Sequence, residues 1–167
     1  MASDFYLKID GVKGETTAKG LQDYMEIASF SFGASNPTTI GSHGGGSAGG
    51  KVSISSFQVM KRTDGASPTL FQMCCAGDHA KSATVEMKKA TGKGGEQVTF
   101  IKYEFEEVYI DSIQWSGAAG GDTYPMEGLS FSFGKVTVNY YPQDKEGKVA
   151  TKAEQAFWDL RLNSSGK

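Results

Sequence analysis

The chain has 167 residues, a net charge of −2 and 22 glycines. Its length fits one domain, with enough interior to fold without a disulfide or metal staple. The near-neutral charge lacks the basic surface a general nucleic-acid binder uses to displace counterions. No segment approaches the roughly 18 apolar residues that cross a bilayer as a helix. Met1–Asp10 shows no basic stretch followed by an apolar one, so a cleaved secretory signal is not expected.

Most of the chain alternates with period 2, which predicts strands. Asp4–Ile9 reads as the first and Asp23–Gly33 as the second. Phe30 and Phe32 point one way there, Ser29 and Ser31 the other. Lys51–Arg62 reads as a third strand whose phase slips at Ser55–Ser56, predicting a bulge or bend.

Ser67–Gly77 (SPTLFQMCCAG) carries the one helical signature, predicting a helix over about 68–77. Ser67 is placed as N-cap, Pro68 at the first turn and Gly77 as C-cap. Leu70 with Cys74 and Phe71 with Cys75 form a stripe expected to lie on the sheet.

Ala83, Val85 and Met87 alternate in a fourth strand. Gln97–Ile113 is too long for a flat strand, and its apolar phase slips after Phe100 and near Glu106–Glu107. It must bend, or two strands must meet there. Met126–Tyr141 follows with a slip at Gly134. Phe157–Leu162 closes the series, with Trp158, Leu160 and Leu162 placed on one face. The expected class is mainly β: a compact barrel of two sheets with one flanking helix and an extended Gly-rich loop over 34–50. One domain spans 1–167, with a flexible tail over 163–167.

Chemical motifs are weak. Gly45–Lys51 satisfies G-x-x-x-x-G-K. Val52 stands where a Ser or Thr is needed, and a strand pattern follows instead of a helix, so a partner-docking loop is the better reading. Cys74, Cys75 and His79 suggest a thiol–imidazole pair, but Gly77 should end the helix between them. Neither His43 nor His79 has partners at metal-ligand spacing. Glu104 and Glu106 read as neighbours on a solvated face. No catalytic, cofactor or metal residue is assigned. The faces opposite the aromatics are rich in small hydroxyls instead: Ser29, Ser31, Ser53, Ser55, Ser130, Ser132 and Thr137. Such a surface suits a wall packed on something or lining a passage.

These residues resemble the haemolysin-coregulated protein (Hcp) family, the tube proteins of bacterial type VI secretion. The similarity runs in order through Phe5–Glu15 (FYLKIDGVKGE), Glu26–Gly33 (EIASFSFG), the Gly-rich loop up to Lys51–Val52 and Ser67–Lys89. It continues through Phe105–Ile113, Phe131–Tyr140 and Phe157–Asn163. Phe30 and Phe32 stand where the family usually carries tryptophans. The resemblance implies homohexameric rings stacked into a hollow tube. A contractile sheath would propel it behind a spike protein of the VgrG type, with effectors in the lumen. It implies assembly in the bacterial cytoplasm and export without a signal peptide. Under this reading Gly33, Ser42, His43, Gly44, Gly45, Gly46, Gly49, Gly50 and Lys51 belong to a subunit interface. Ser29 and Ser31 face the lumen. The competing reading is a stand-alone secreted β-sandwich binding module, with Trp115, Tyr124 and Tyr109 as its aromatic platform.

Overall fold

The structure is a computed structural model that describes residues 3–39, 48–90, 96–121 and 123–166. Chain order is β1 (Ser3–Ile9), β2 (Met25–Ile27), β3 (Ser29–Ser31), β4 (Ala34–Ser35), β5 (Thr38–Thr39), β6 (Ala48–Gly49), β7 (Ser53–Ile54) and β8 (Phe57–Arg62). Helix α1 (Ser67–Ala76) follows. Then come β9 (His79–Ala90), β10 (Gln97–Ser116), β11 (Met126–Tyr140), β12 (Glu154–Asp159) and β13 (Ser164–Gly166).

Strand pairing traces a circuit that the chain itself closes. β1 pairs with β2 and β9, β9 with β10, β10 with β11, β11 with β8, and β8 with β3. Only Ala28 separates β3 from β2, so the sheet returns to its start. The expected barrel is present, and pairing joins its layers into one nine-stranded sheet. β12 and β13 extend it beyond the circuit.

The long strands stay continuous because they bend together. In β9, Ala80 and Ala83 both face the core; in β10, Phe105 and Val108; in β11, Phe133 and Val136. Each strand therefore changes phase at this point, and the changes are in register: Phe105 opposes Ala83 and Val136, while Val108 opposes Ala80 and Phe133. Glu107 sits at this crease with φ +56°. Two further irregularities in β10 lie between Thr99 and Ile101 and between Ile110 and Ser112. The slips read from the sequence at Phe100 and Glu106–Glu107 are thus bends within one strand.

Aromatic rings fill the interior. Phe30 and Phe131 stack on Phe57 at 5.5 and 5.3 Å, and Phe105 meets Phe133 at 4.7 Å. Burying side chains of this kind contributes about 1.5–3 kcal/mol each. They are the inward half of the alternation that exposes Ser29 and Ser31.

Four local expectations are corrected. Helix α1 begins at Ser67, with Ala66 as N-cap. Asp64 organises that end: its Oδ1 accepts from Ala66 N–H at 3.0 Å, while Ser67 Oγ accepts from Asp64 N–H at 3.1 Å. Gly77 does cap the C-terminus, at φ +69°. The stripe buries Leu70, but Phe71 is exposed and meets Trp115 at 5.6 Å. The last apolar strand stops at Asp159, and Leu160 and Leu162 are exposed. Asp159 Oδ1 accepts from the N–H groups of Arg161 and Leu162, which turns the chain. Ser164–Gly166 then pairs with Phe157–Asp159, so much of the segment read as a flexible tail is a strand.

Candidate functional site

Ser29 and Ser31 lie on the outer face of β3, both exposed. Register continues their rows across four strands. Ser31 opposes Gln58, Gln58 opposes Ser130, and Ser130 opposes Ser112. One step along, Ser29 opposes Met60, Met60 opposes Gly128, and Gly128 opposes Gln114. These two rows contain no charge. Ser112 and Ser130 share a hydrogen bond of 2.8 Å between hydroxyls. Beyond them Asp111 holds the bend, accepting from Ser56 Oγ at 2.6 Å and Ser132 Oγ at 2.8 Å.

The opposite outer surface is laced with charge. Glu86 accepts from Tyr24 and Thr99 hydroxyls at 3.0 Å each, and Glu104 pairs with Lys102 at 3.2 Å. Burial, with Glu86 beside it, pushes the Tyr24 phenol well above its ordinary range and keeps it a donor. The barrel thus presents one smooth neutral wall and one ionic wall.

The hydroxyl residues singled out in the sequence divide. Ser130 and Ser132 join the wall with Ser29 and Ser31. Ser53 lies in the arm, Ser55 at its base, and Thr137 on the β12 side of the barrel. Sequence reasoning missed Gln58, Ser112, Gln114 and Gly128. The signal for Gln58 was its place between Phe57 and Val59, both buried.

The Gly-rich segment is a β arm. β4 pairs with β7 and β5 with β6. At its base Gly33 N–H donates to Ser55 Oγ at 3.1 Å, and Gly33 carbonyl accepts from Ser55 N–H at 2.9 Å. Gly49 lies in the outer ladder, Gly50 N–H donates to the Pro37 carbonyl at 2.9 Å, and Lys51 is exposed. Ser42, His43, Gly44, Gly45 and Gly46 lie outside the described residues. Val52 leads into strand β7, not a helix, so the phosphate-loop geometry fails.

Other candidate groups are engaged separately. Cys74 Sγ lies 3.9 Å from the Asp111 carbonyl, whereas His79 stacks on Tyr109 at 5.4 Å. Glu106 pairs with Lys135 at 3.1 Å, and Glu107 with Arg161 at 2.8 Å. Trp115 donates its indole N–H to Glu127 at 2.7 Å. Tyr124 is exposed, while the Trp115 ring meets Phe71 and the Tyr109 ring meets His79, so the three do not form one platform.

The profile of the family described as type VI secretion system effector, Hcp, matches residues 6–140. The chain belongs to the Hcp family. Protein hcp1 of Pseudomonas aeruginosa is 31% identical over 163 residues, covering 98% of each chain. A solved type six secretion system protein superposes with TM-score 0.91 at 33% identity, over 99% of this chain and 100% of that one. Hcp1 from Salmonella typhimurium superposes with TM-score 0.78 at 26% identity, again over 99% and 100%. The Hcp fold therefore covers the whole barrel, arm included.

Proposed function

We propose that this Hcp protein is the structural subunit of a type VI secretion inner tube. Six copies close a ring, rings stack into a hollow tube, and the sheath expels the tube behind its VgrG-type spike. Subunits assemble in the bacterial cytoplasm and leave through the same machine. The partners are other copies, spike, sheath and secreted effectors, with no nucleic acid and no membrane insertion.

The observation that carries this reading is the neutral hydroxyl wall. An ordinary solvated sheet face is guarded by Lys and Glu. A tube lumen needs a surface that neither repels nor traps a charged passenger, and short uncharged side chains provide it. Ser29 and Ser31 are accordingly assigned to the lumen, and the arm to a neighbouring subunit. A contact between two different surfaces closes into a ring when its rotation divides the circle, while stacked rings remain open-ended.

Solution mass by light scattering, with negative-stain images of the same peak, tests the assembly. A mass near six chains with annular particles is expected. A monomer that binds glycans and never forms rings would move the assignment to a binding module. Deleting Gly44–Gly49 tests the arm: stacking should fail, and unchanged stacking would remove the arm's role.

A further inference from the structure

The barrel has one incomplete seam. β2 pairs with β1 on one side. Towards β8, the backbone connection among the described residues is a single hydrogen bond from Ala28 N–H to the Met60 carbonyl at 2.7 Å. The ladder between β3 and β8 covers Gln58–Met60, so it stops where β2 and β8 part. Their divergence opens a cavity of about 510 Å³ edged by Thr16, Thr17, Glu26, Ala28, Thr63 and Tyr124. Among the described residues, no arm residue of the same chain lines it.

The arm has the complementary deficiency. Its ladders, β4 with β7 and β5 with β6, are each only two strands wide. A two-stranded hairpin is marginal in water and gains from a third strand. An open sheet edge is a template for such an addition. Charge agrees with this pairing. Glu15 also lines the cavity, with Asp64 and Arg62, so carboxylates outnumber cations in its lining three to one, and Glu15 and Glu26 are both exposed. Residues 27–63 contain no Asp or Glu, and Lys51 stands exposed among them.

We propose that the groove between β2 and β8 receives the arm of a second copy as an added strand, with Lys51 directed at Glu15 and Glu26. This rests on the arm reading above and names the surface that takes it. The backbone edge supplies affinity, and the carboxylates favour a segment that carries none of its own.

Disulfide trapping tests the proposal. Asn36→Cys in the arm is combined with Thr17→Cys in the groove, or with Ser130→Cys on the neutral wall as control. Cys74→Ala and Cys75→Ser remove the native thiols from both. On mild oxidation at millimolar chain concentration, Asn36→Cys with Thr17→Cys should link separate chains roughly tenfold faster than the control, because bound segments share a high effective concentration. Adding Glu15→Lys and Glu26→Lys should abolish the link, and adding Lys51→Glu should restore it. All of these groove and arm positions are exposed, and unchanged melting temperatures confirm folding.

Equal linking to Ser130→Cys, linking only within one chain, or no link between chains overturns the groove. If rings still stack and the deletion of Gly44–Gly49 unstacks them, the arm reading survives that failure. Links in a protein that never forms rings would leave the groove standing and remove the tube.

Discussion

Lys61 and Glu127 face each other at 3.1 Å across the β8–β11 ladder, with both side chains fully buried. Lys61 also reaches Asp64 at 2.7 Å and Ser67 Oγ at 3.3 Å, so one ammonium ties the sheet to the start of α1. Glu127 Oε2 accepts from Trp115, while its Oε1 has no hydrogen bond and is compensated by the Lys61 charge alone.

Removing one member of such a pair leaves a buried charge uncompensated, at a cost of about 3–5 kcal/mol. Lys61→Met should therefore lower the urea midpoint sharply. Lys61→Met with Glu127→Gln should recover part of the loss, since glutamine keeps an acceptor for Trp115. Equal midpoints for single and double variants would contradict the coupling.

Two glycines should respond oppositely to alanine. A Cβ on Gly14 would overlap the Tyr24 carbonyl and lie 2.7 Å from Met25 N, both backbone atoms that cannot swing away. Gly14→Ala should cost about 1–3 kcal/mol or more, as overpacking does. A Cβ on Gly117 would meet Pro125 at 3.5 Å, an ordinary contact. Gly117→Ala should be neutral or stabilise by about 0.4–1 kcal/mol through the unfolded chain. Paired thermal melts decide both.

Acid should loosen the last turn before the barrel. Hydrogen bonding from Arg161, aided by backbone N–H groups, lowers the Asp159 carboxyl from 3.8 to about 2. A depressed carboxylate contributes stability above its unfolded value and loses it as pH falls through its folded value. Protection of the β12–β13 hairpin in hydrogen exchange should therefore fall between about pH 3.8 and about 2. Asp159→Asn should lower protection at neutral pH and flatten that dependence.

The wall separates stability from transport. Ser31 is exposed, so Ser31→Glu should move folding stability by less than about 0.5 kcal/mol. Assembly or effector retention should change nonetheless. If neither changes while the fold is intact, Ser31 is not a lumen residue.

Strand identities were legible because inward aromatics alternate with outward serines, as at Phe30–Ser31 and Phe131–Ser132. Phase slips were legible too, since an apolar residue three positions after another marks the break. Their alignment was not. Nothing local to Ala80, Glu107 or Gly134 says that these positions lie side by side; that depends on long-range register. The Lys61–Glu127 pair was hidden for the same reason, as each reads alone as a surface charge. The wall was half visible: its serines stood out, but Gln58 and Gln114 joined it only through pairing. Asp64's work at the helix start was masked by Ser67, a residue type that usually caps.

The crease shared by β9, β10 and β11 constrains how this protein can vary in length. Inserting one residue into any single strand, with no bulge to absorb it, would turn half of that strand inside out, putting Ser or Lys where Ala80, Val108 or Phe133 now meets the interior. Compensation would need matching changes in two strands distant in the sequence. Gains and losses of residues should therefore collect in the arm and at strand ends, leaving the folded segments of the long strands at fixed length across descendants of this gene.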